Sequence, residues 1–388
     1  MKKQNLFPLA QPCASVGLAL LLISGAASAQ ADTDRIQELE DRIDSLEDQL
    51  LDVDERVGTR AVVHAFDALQ MDFGGFATQR VNAVKSDAHT RAAFDMGQFE
   101  LFLKAIIDDD WEFFSILEFK RVASLNESDT KDVQFGSIAN KADLELYWFN
   151  YRLADSLQFR AGRFIAEHGI INVEHFQPTL LHLDYPMFMR KKPGSGSNNS
   201  GSLSFFERFM VGAMAHGQTS VGDDNSLVYN AYIGTDKQNG MDYQSGARAA
   251  LSWGHSGLTT GLNFGHGNHG AVVNGNSYDF WGVDLLYDKD AILWKNELYA
   301  SKEDVGTEDR LGWYTQPAVR LADKWIAFYR YDFLDNADLG KGDQTEHVVG
   351  INYLPNPLVR LRATATQASF DLPDDDFTSF QLSATISF

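Results

Sequence analysis

From about residue 60 to its last residue, this chain alternates apolar with polar positions, and no other feature constrains its fold as tightly. In the final stretch, FTSFQLSATISF (377–388), Phe380, Leu382, Ala384, Ile386 and Phe388 occupy one parity. Gln381, Ser383, Thr385 and Ser387 occupy the other, which is the two-residue period of a strand whose faces meet unlike environments. The same period runs through Phe99, Leu101, Leu103, Ala105 and Ile107, through Trp111, Phe113, Leu117 and Phe119, through Leu144, Leu146 and Trp148, and through Trp325, Ala327, Tyr329, Tyr331 and Phe333. None of these segments is a continuous apolar run, so a parallel sheet buried on both faces is disfavoured. Many consecutive strands of this kind need a second sheet to pack against or a lipid to face.

The links between strands choose the lipid. Tight links fall at 108–110, 153–156, 254–256, 288–290, 321–324 and 354–357. Between them lie longer ones around 82–91, 121–141, 166–203, 235–243, 266–277, 301–311, 334–345 and 371–376. Short and long alternate, with the link near 217–226 somewhat long for its place in the series. A sandwich or propeller has no reason to keep that order, whereas a transmembrane antiparallel β-barrel with turns on one rim and loops on the other does. Residues 59–388 therefore read as an all-β barrel of about sixteen strands. Its terminal strand closes against its first, and the apolar parity faces lipid.

The N-terminus sets the compartment. Lys2 and Lys3 precede an apolar stretch from Val16 to Ile23 and a small-residue Ala27-Ser28-Ala29 step, the pattern of a secretory signal over residues 1–29 that is cleaved before Gln30. The single cysteine, Cys13, leaves with it, so disulfide and thiol chemistry are excluded from the mature protein. Losing the two lysines takes the formal charge from −21 to −23, and a chain that acidic is a poor nucleic-acid binder. Aromatic content of 12% sits beside a mean hydropathy of only −0.26, as expected where apolar and wet positions alternate. Within 30–58, Ile36, Leu39, Ile43, Leu46, Leu50, Val53 and Val57 are spaced three and four apart, which fills the a and d positions of a heptad repeat. Arg35 with Glu40 and Arg42 with Glu47 would meet across a parallel self-association. A periplasmic homo-oligomeric coiled coil ahead of the barrel is the expectation, with an amphipathic helix lying on the protein's own surface as the alternative.

Two segments carry a family resemblance. FRAGRFIAEHGIINVEHF (159–176) runs from a strand into the long third link, and ERFMVGAMAHG (207–217) forms the next strand. With the N-terminal helix and the barrel, these resemble the bacterial outer-membrane porins, more narrowly the phosphate-selective porin O/P group and its general-porin relatives. The resemblance implies a homotrimer delivered to the outer membrane by the barrel assembly machinery, with Phe388 as the C-terminal assembly signal. It also implies a third loop folded inward over about 166–203, and passive diffusion of small hydrophilic solutes or anions such as phosphate. No cofactor and no enzymatic activity are expected.

With the apolar parity outward, Arg160, Arg208, Arg248, Arg320, Arg330, Arg360 and Arg362 point inward with Lys120 and Lys295. Arg163, in the Ala-Gly-Arg-Phe step into the third loop, joins them as a constriction candidate. So do Glu100, Glu112, Glu118, Glu145, Glu297 and Asp332 on strands, and Glu167, Glu174 and Asp184 in the loop. Either a basic wall faces an acidic one, which orients polar solutes without strong ion preference, or the charges pair and stiffen the wall. His168, His175 and His182 recur every seven residues beside Glu167, Glu174 and Asp184. Those are metal-binding residue types, but without helical phasing the spacing gathers nothing on one face, and no metal site is assigned. No Gly-x-Ser-x-Gly and no helix-borne histidine pair suggests an outer-membrane hydrolase. The competing non-transport reading is a tether, with the coiled coil gripping a periplasmic partner and the barrel as its anchor.

Overall fold

In the computed structural model, the described residues are 70–86, 90–123, 138–189, 205–235, 243–268, 277–303, 310–335, 342–371 and 376–388. The leader and the heptad segment, with Ile36, Leu39, Ile43, Leu46, Leu50, Val53 and Val57, lie outside them.

Sixteen strands follow in order. The first eight are β1 (Gln70–Ser86), β2 (Thr90–Ile106), β3 (Trp111–Ala123), β4 (Ile138–Ala154), β5 (Leu157–Ile165), β6 (Phe209–Val221), β7 (Asn225–Thr235) and β8 (Tyr243–Ser252). The rest are β9 (Leu258–Asn268), β10 (Ser277–Lys289), β11 (Ile292–Glu303), β12 (Arg310–Ala322), β13 (Trp325–Asp335), β14 (Gln344–Asn356), β15 (Val359–Phe370) and β16 (Phe377–Ser387). Each pairs antiparallel with its sequence neighbours, and β16 pairs with β1 to close the barrel. The one short link that looked long is a tight turn after all: β6 runs to Val221 and β7 starts at Asn225, with Gly222 in the left-handed region at φ 69° between them.

The closing seam depends on a glycine. Phe388 and Gly75 exchange backbone hydrogen bonds of 3.0 Å in both directions, and the Phe388 ring lies so close over Gly75 that a Cβ there would strike both the ring and the Glu100 carbonyl. The same ring stacks on Phe99 at 6.0 Å. The last residue thus packs on the outer face of β1 and β2.

Alternation sorts the side chains as expected in most strands. Phe380, Leu382 and Ile386 are exposed on the outer face, while Gln381, Ser383 and Thr385 are buried inside. One exception is β4. Its pairing with β3 shifts so that Leu117 faces Leu144 and Ile116 faces Leu146, which leaves Glu145 as an extra residue in a β-bulge. One added residue reverses every side chain beyond it. Leu144 faces out, 44% exposed, whereas Leu146 is 2% exposed against the inner face, and Trp148 follows it inward. The expectation that Leu144, Leu146 and Trp148 share one outer face is therefore corrected.

Candidate functional site

The third loop, as far as residues 166–189 describe it, lies inside the barrel and is tied to the wall along its length. It leaves β5 through Gly169, at φ 65°, a conformation costly for other residues. A Cβ at that position would fall on the Glu297 carboxylate. That carboxylate accepts the Ile171 amide at 2.9 Å and the Tyr314 hydroxyl at 2.7 Å. Asn263 accepts the Gly169 amide at 2.9 Å. Further along, the Arg362 guanidinium donates to the Leu180 carbonyl at 2.9 Å and to the Gln177 carbonyl, and Arg360 donates to Leu180 at 3.1 Å. Asn352 holds the Leu181 carbonyl at 3.1 Å, and Arg330 holds that of Asp184 at 2.8 Å. Buried loop carbonyls need such partners, because each would otherwise carry its full desolvation cost. The loop's apolar side chains complete the attachment: Ile171, Leu180 and the short 3-10 turn Met187–Met189 pack with Tyr278, Tyr299 and Tyr314 of β10–β12.

The expected lining cations are accordingly engaged. Arg160 pairs with Glu167 at 2.7 Å, Arg248 with Asp284 at 2.8 Å, and Lys295 with Glu174. Arg330 sits between Asp332 at 2.9 Å and Glu346 at 3.1 Å, all three essentially inaccessible. Arg208 donates to Asn172 at 3.0 Å and stacks over the Tyr185 ring at 3.9 Å. Arg320 lies away from the loop, at the rim of the short turns, paired with Asp288 at 2.7 Å. Arg163 is buried although Phe159 and Ala161 put its parity outward. Gly162 before it has φ 128°, and its guanidinium donates to the Leu144 carbonyl at 2.8 Å beside the Phe209 ring. Lys120 lies on β3 with its side chain outside the described residues. Asp184 receives Arg80 at 3.3 Å, and Glu112 pairs with Lys104 at 3.3 Å.

This arrangement differs from a basic wall facing an acidic one. Arg160, Arg248, Lys295 and Arg330 interleave with acids as pairs, whereas Arg163, Arg208, Arg360 and Arg362 are held on neutral partners. The acidic concentration that does exist is Glu100, Glu118 and Glu145 on β2, β3 and β4, all buried, with carboxylate oxygens within 4.8 Å of one another. Among the described residues it is the one group whose ligand atoms are close enough to share a cation. Sequence reasoning missed Asp284, Glu346, Asn263 and Arg80. All four have the inward parity of their strands, and that parity was the available signal; what parity cannot show is which partner each one meets.

The three histidines do not converge. His168 is fully buried, with Nε2 2.7 Å from the Tyr232 hydroxyl, Nδ1 3.4 Å from Asn263, and its ring against Phe206 and Phe280. The His175 ring lies against that of Phe176 at 3.9 Å, tilted by 41°, and meets Phe209 edge-on, and its own carbonyl accepts the Tyr185 hydroxyl. His182 lies by Phe328 and Asp184. Burial drives both His168 and His175 down to a pKa of about 3, with the positive charges of Arg248 and Arg208 adding to the respective shifts. Both are therefore neutral, and they contribute no charge to the lumen at neutral pH.

The sign of the linked pH effect follows. A released loop would hydrate these imidazoles and return them to about 6.5, so it binds protons that the packed loop refuses. Loop packing is undiminished above pH 6.5 and weakens by about 1.4 kcal/mol per pH unit per histidine as the pH falls toward 3. The expected result is a steep fall in thermal unfolding temperature between pH 6.5 and 4 that flattens in the His168→Asn/His175→Phe double variant. Equal slopes for the two proteins contradict it.

No family model matches the chain, and no curated protein matches it by sequence. Solved structures do match in fold. The anion-selective porin from Comamonas acidovorans aligns with a TM-score of 0.62 at 10% identity, over 82% of this chain and all of that one. OmpF of Salmonella typhi, solved in complex with daunomycin, aligns at 0.58 and 12% over 83% and 98%. The outer membrane channel DcaP of Acinetobacter baumannii aligns at 0.52 and 11% over 83% and 98%. At these identities the likeness is one of fold.

Proposed function

We propose that this protein is an outer-membrane channel that passes small hydrophilic solutes or ions by diffusion. In this reading it assembles as a homo-oligomer, a trimer by the family's habit, with the heptad segment on the periplasmic side and Phe388 serving barrel assembly. The observation that carries the reading is the inversion of a soluble protein: a closed barrel with apolar residues outside and ionised residues inside, around a loop held within the lumen. That arrangement suits a lipid exterior and a wet interior. The names of its structural neighbours, porin and channel, favour it too.

Paired charges argue for weak ion preference over a phosphate-selective pore. Arg160, Arg248, Lys295 and Arg330 are balanced by carboxylates, and a dehydrating anion needs unbalanced positive charge. Arg360 and Arg362, held on neutral carbonyls, and Arg208, held on Asn172 and Tyr185, are residues through which an anion preference would arise.

The test is planar-bilayer recording of detergent-extracted, heat-modifiable protein in a salt gradient. Discrete current steps with a reversal potential near zero are expected. A strongly anion-selective potential would favour the phosphate reading, and folded protein without steps would favour the tether. A second check concerns the outer face: Leu382→Arg, in the middle of β16 and 44% exposed, should cost about 2–4 kcal/mol in unfolding from lipid, while Leu382→Phe should cost almost nothing.

A further inference from the structure

One part of the outer face is not apolar. Asn296 on β11, Thr315 on β12, Tyr331 on β13 and His347 on β14 stand opposite one another in register. The residues on either side of each, from Lys295 and Glu297 to Glu346 and Val348, are buried on the inner face, so the four share the outward parity. Asn296 and Thr315 lie in mid-strand. On that parity Asn296 has Ile292 and Trp294 toward the short turns and Leu298 and Ala300 toward the long loops. Thr315 has Pro317 and Val319 on one side and Trp313 and Leu311 on the other. The row climbs from there to Gln367, near the loop end of β15. Outward residues in the middle of β5–β7, such as Ala161, Ala213, Ala231 and Ile233, are apolar.

The strip satisfies itself only in part. Trp294 Nε1 donates to the Thr315 hydroxyl at 2.8 Å, which leaves the threonine its own proton to give. The Tyr329 hydroxyl lies 2.8 Å from His347 Nδ1, beside the Tyr331 ring, and this contact uses one of the two ring nitrogens. The Asn296 amide nitrogen has no hydrogen-bond partner among the described residues. Lipid tails cannot supply these partners, and a polar group in hydrocarbon is penalised for each one it lacks.

We infer that the outer face of β11–β14 docks a second copy of this chain. Lipid headgroups do not reach Asn296 and Thr315, which have apolar neighbours toward both rims. Between barrels in a bilayer the hydrophobic effect gives no attraction, so packing and polar side chains that bond across the contact hold it together. The heptad pattern at 30–58 selects the partner. A parallel self-association there carries copies of the same barrel side by side, in one orientation and at high effective concentration. Amide, hydroxyl and imidazole groups both donate and accept, so the strip suits an uncharged polar counterpart. The inference rests on the channel reading with its lipid-facing wall, and it assigns the face through which the copies meet.

The test is photo-crosslinking of the full chain in the outer membrane of the producing cells. Thr315→p-benzoylphenylalanine is compared with Ile233→p-benzoylphenylalanine, a control at an apolar outward position that is 60% exposed. Irradiation is expected to give a covalent dimer of the chain from position 315 and none from position 233. The Asn296→Leu/Thr315→Val double variant should need about tenfold higher density in lipid vesicles to associate. Both replacements suit lipid, so its folded monomer should stay heat-modifiable like the parent. Adducts from position 315 with lipid alone, or with a different protein, overturn the docking of a second copy, and discrete current steps from the same protein keep the channel reading. Association of the folded double variant at the parent's density overturns the strip as well. Folded protein recovered without detergent overturns the lipid-facing wall and the inference with it.

Discussion

Replacing Arg362 with methionine is expected to release the middle of the third loop from the wall. The guanidinium holds two loop carbonyls, those of Gln177 and Leu180, and braces itself on the Thr385 hydroxyl at 2.8 Å. Hydrogen bonds from a charged donor contribute about 1.5–3 kcal/mol each, and the orphaned carbonyls are buried inside the barrel. A loss near 3 kcal/mol raises the population of loop-released states about a hundredfold. Hydrogen exchange of the 176–184 amides should accelerate to match, and single-channel records should become noisier. Arg362→Lys keeps the charge but not the fork, and should recover only part of the protection. Protection in Arg362→Met equal to that of the parent would mean that the apolar contacts of Leu180 and Ile171 alone hold the loop.

Arg330→Met should do more damage to the barrel itself. Its side chain is ion-paired with Asp332 and Glu346, both inaccessible to solvent, and also donates to the Asp184 carbonyl. Removing one partner of a buried ion cluster costs about 3–5 kcal/mol, since the remaining charges cannot be hydrated. Unfolding by urea from lipid vesicles should show a loss of that size. The triple variant Arg330→Met/Asp332→Leu/Glu346→Leu, in which no charge is left stranded, should recover most of it. If single and triple variants are equally unstable, packing volume and not charge is what the cluster provides.

Both experiments probe contacts made by strand pairing and by the enclosed loop, Arg362 with Gln177 and Leu180 and Arg330 with Glu346 and Asp184, which marks the boundary of what could be read from the sequence. Side-chain parity along a strand is a local property with a fixed period of two. Outward Leu382 and Ile386, inward Arg248 and Arg362, and the alternation of tight and long links could therefore be read before any partner was known. Strand count and closure followed, because an even series of such strands with one wet face has few other ways to satisfy its backbone. Other features depended on pairing. The bulge at Glu145 arises only where β4 meets β3, and it reversed Leu146 and Trp148, making a lumen ring of a residue read as lipid-facing. The loop's anchors, the Arg330–Glu346 pair and the fate of the arginine ladder depended on which inward groups the neighbouring strands and the enclosed loop brought within hydrogen-bonding distance. Parity says that a charge points inward; only the closed barrel brings Asp284 to Arg248 and Leu180 to Arg362. Spacing along the chain carries local geometry, whereas the energy of a buried charge is set by the partner that folding brings to it.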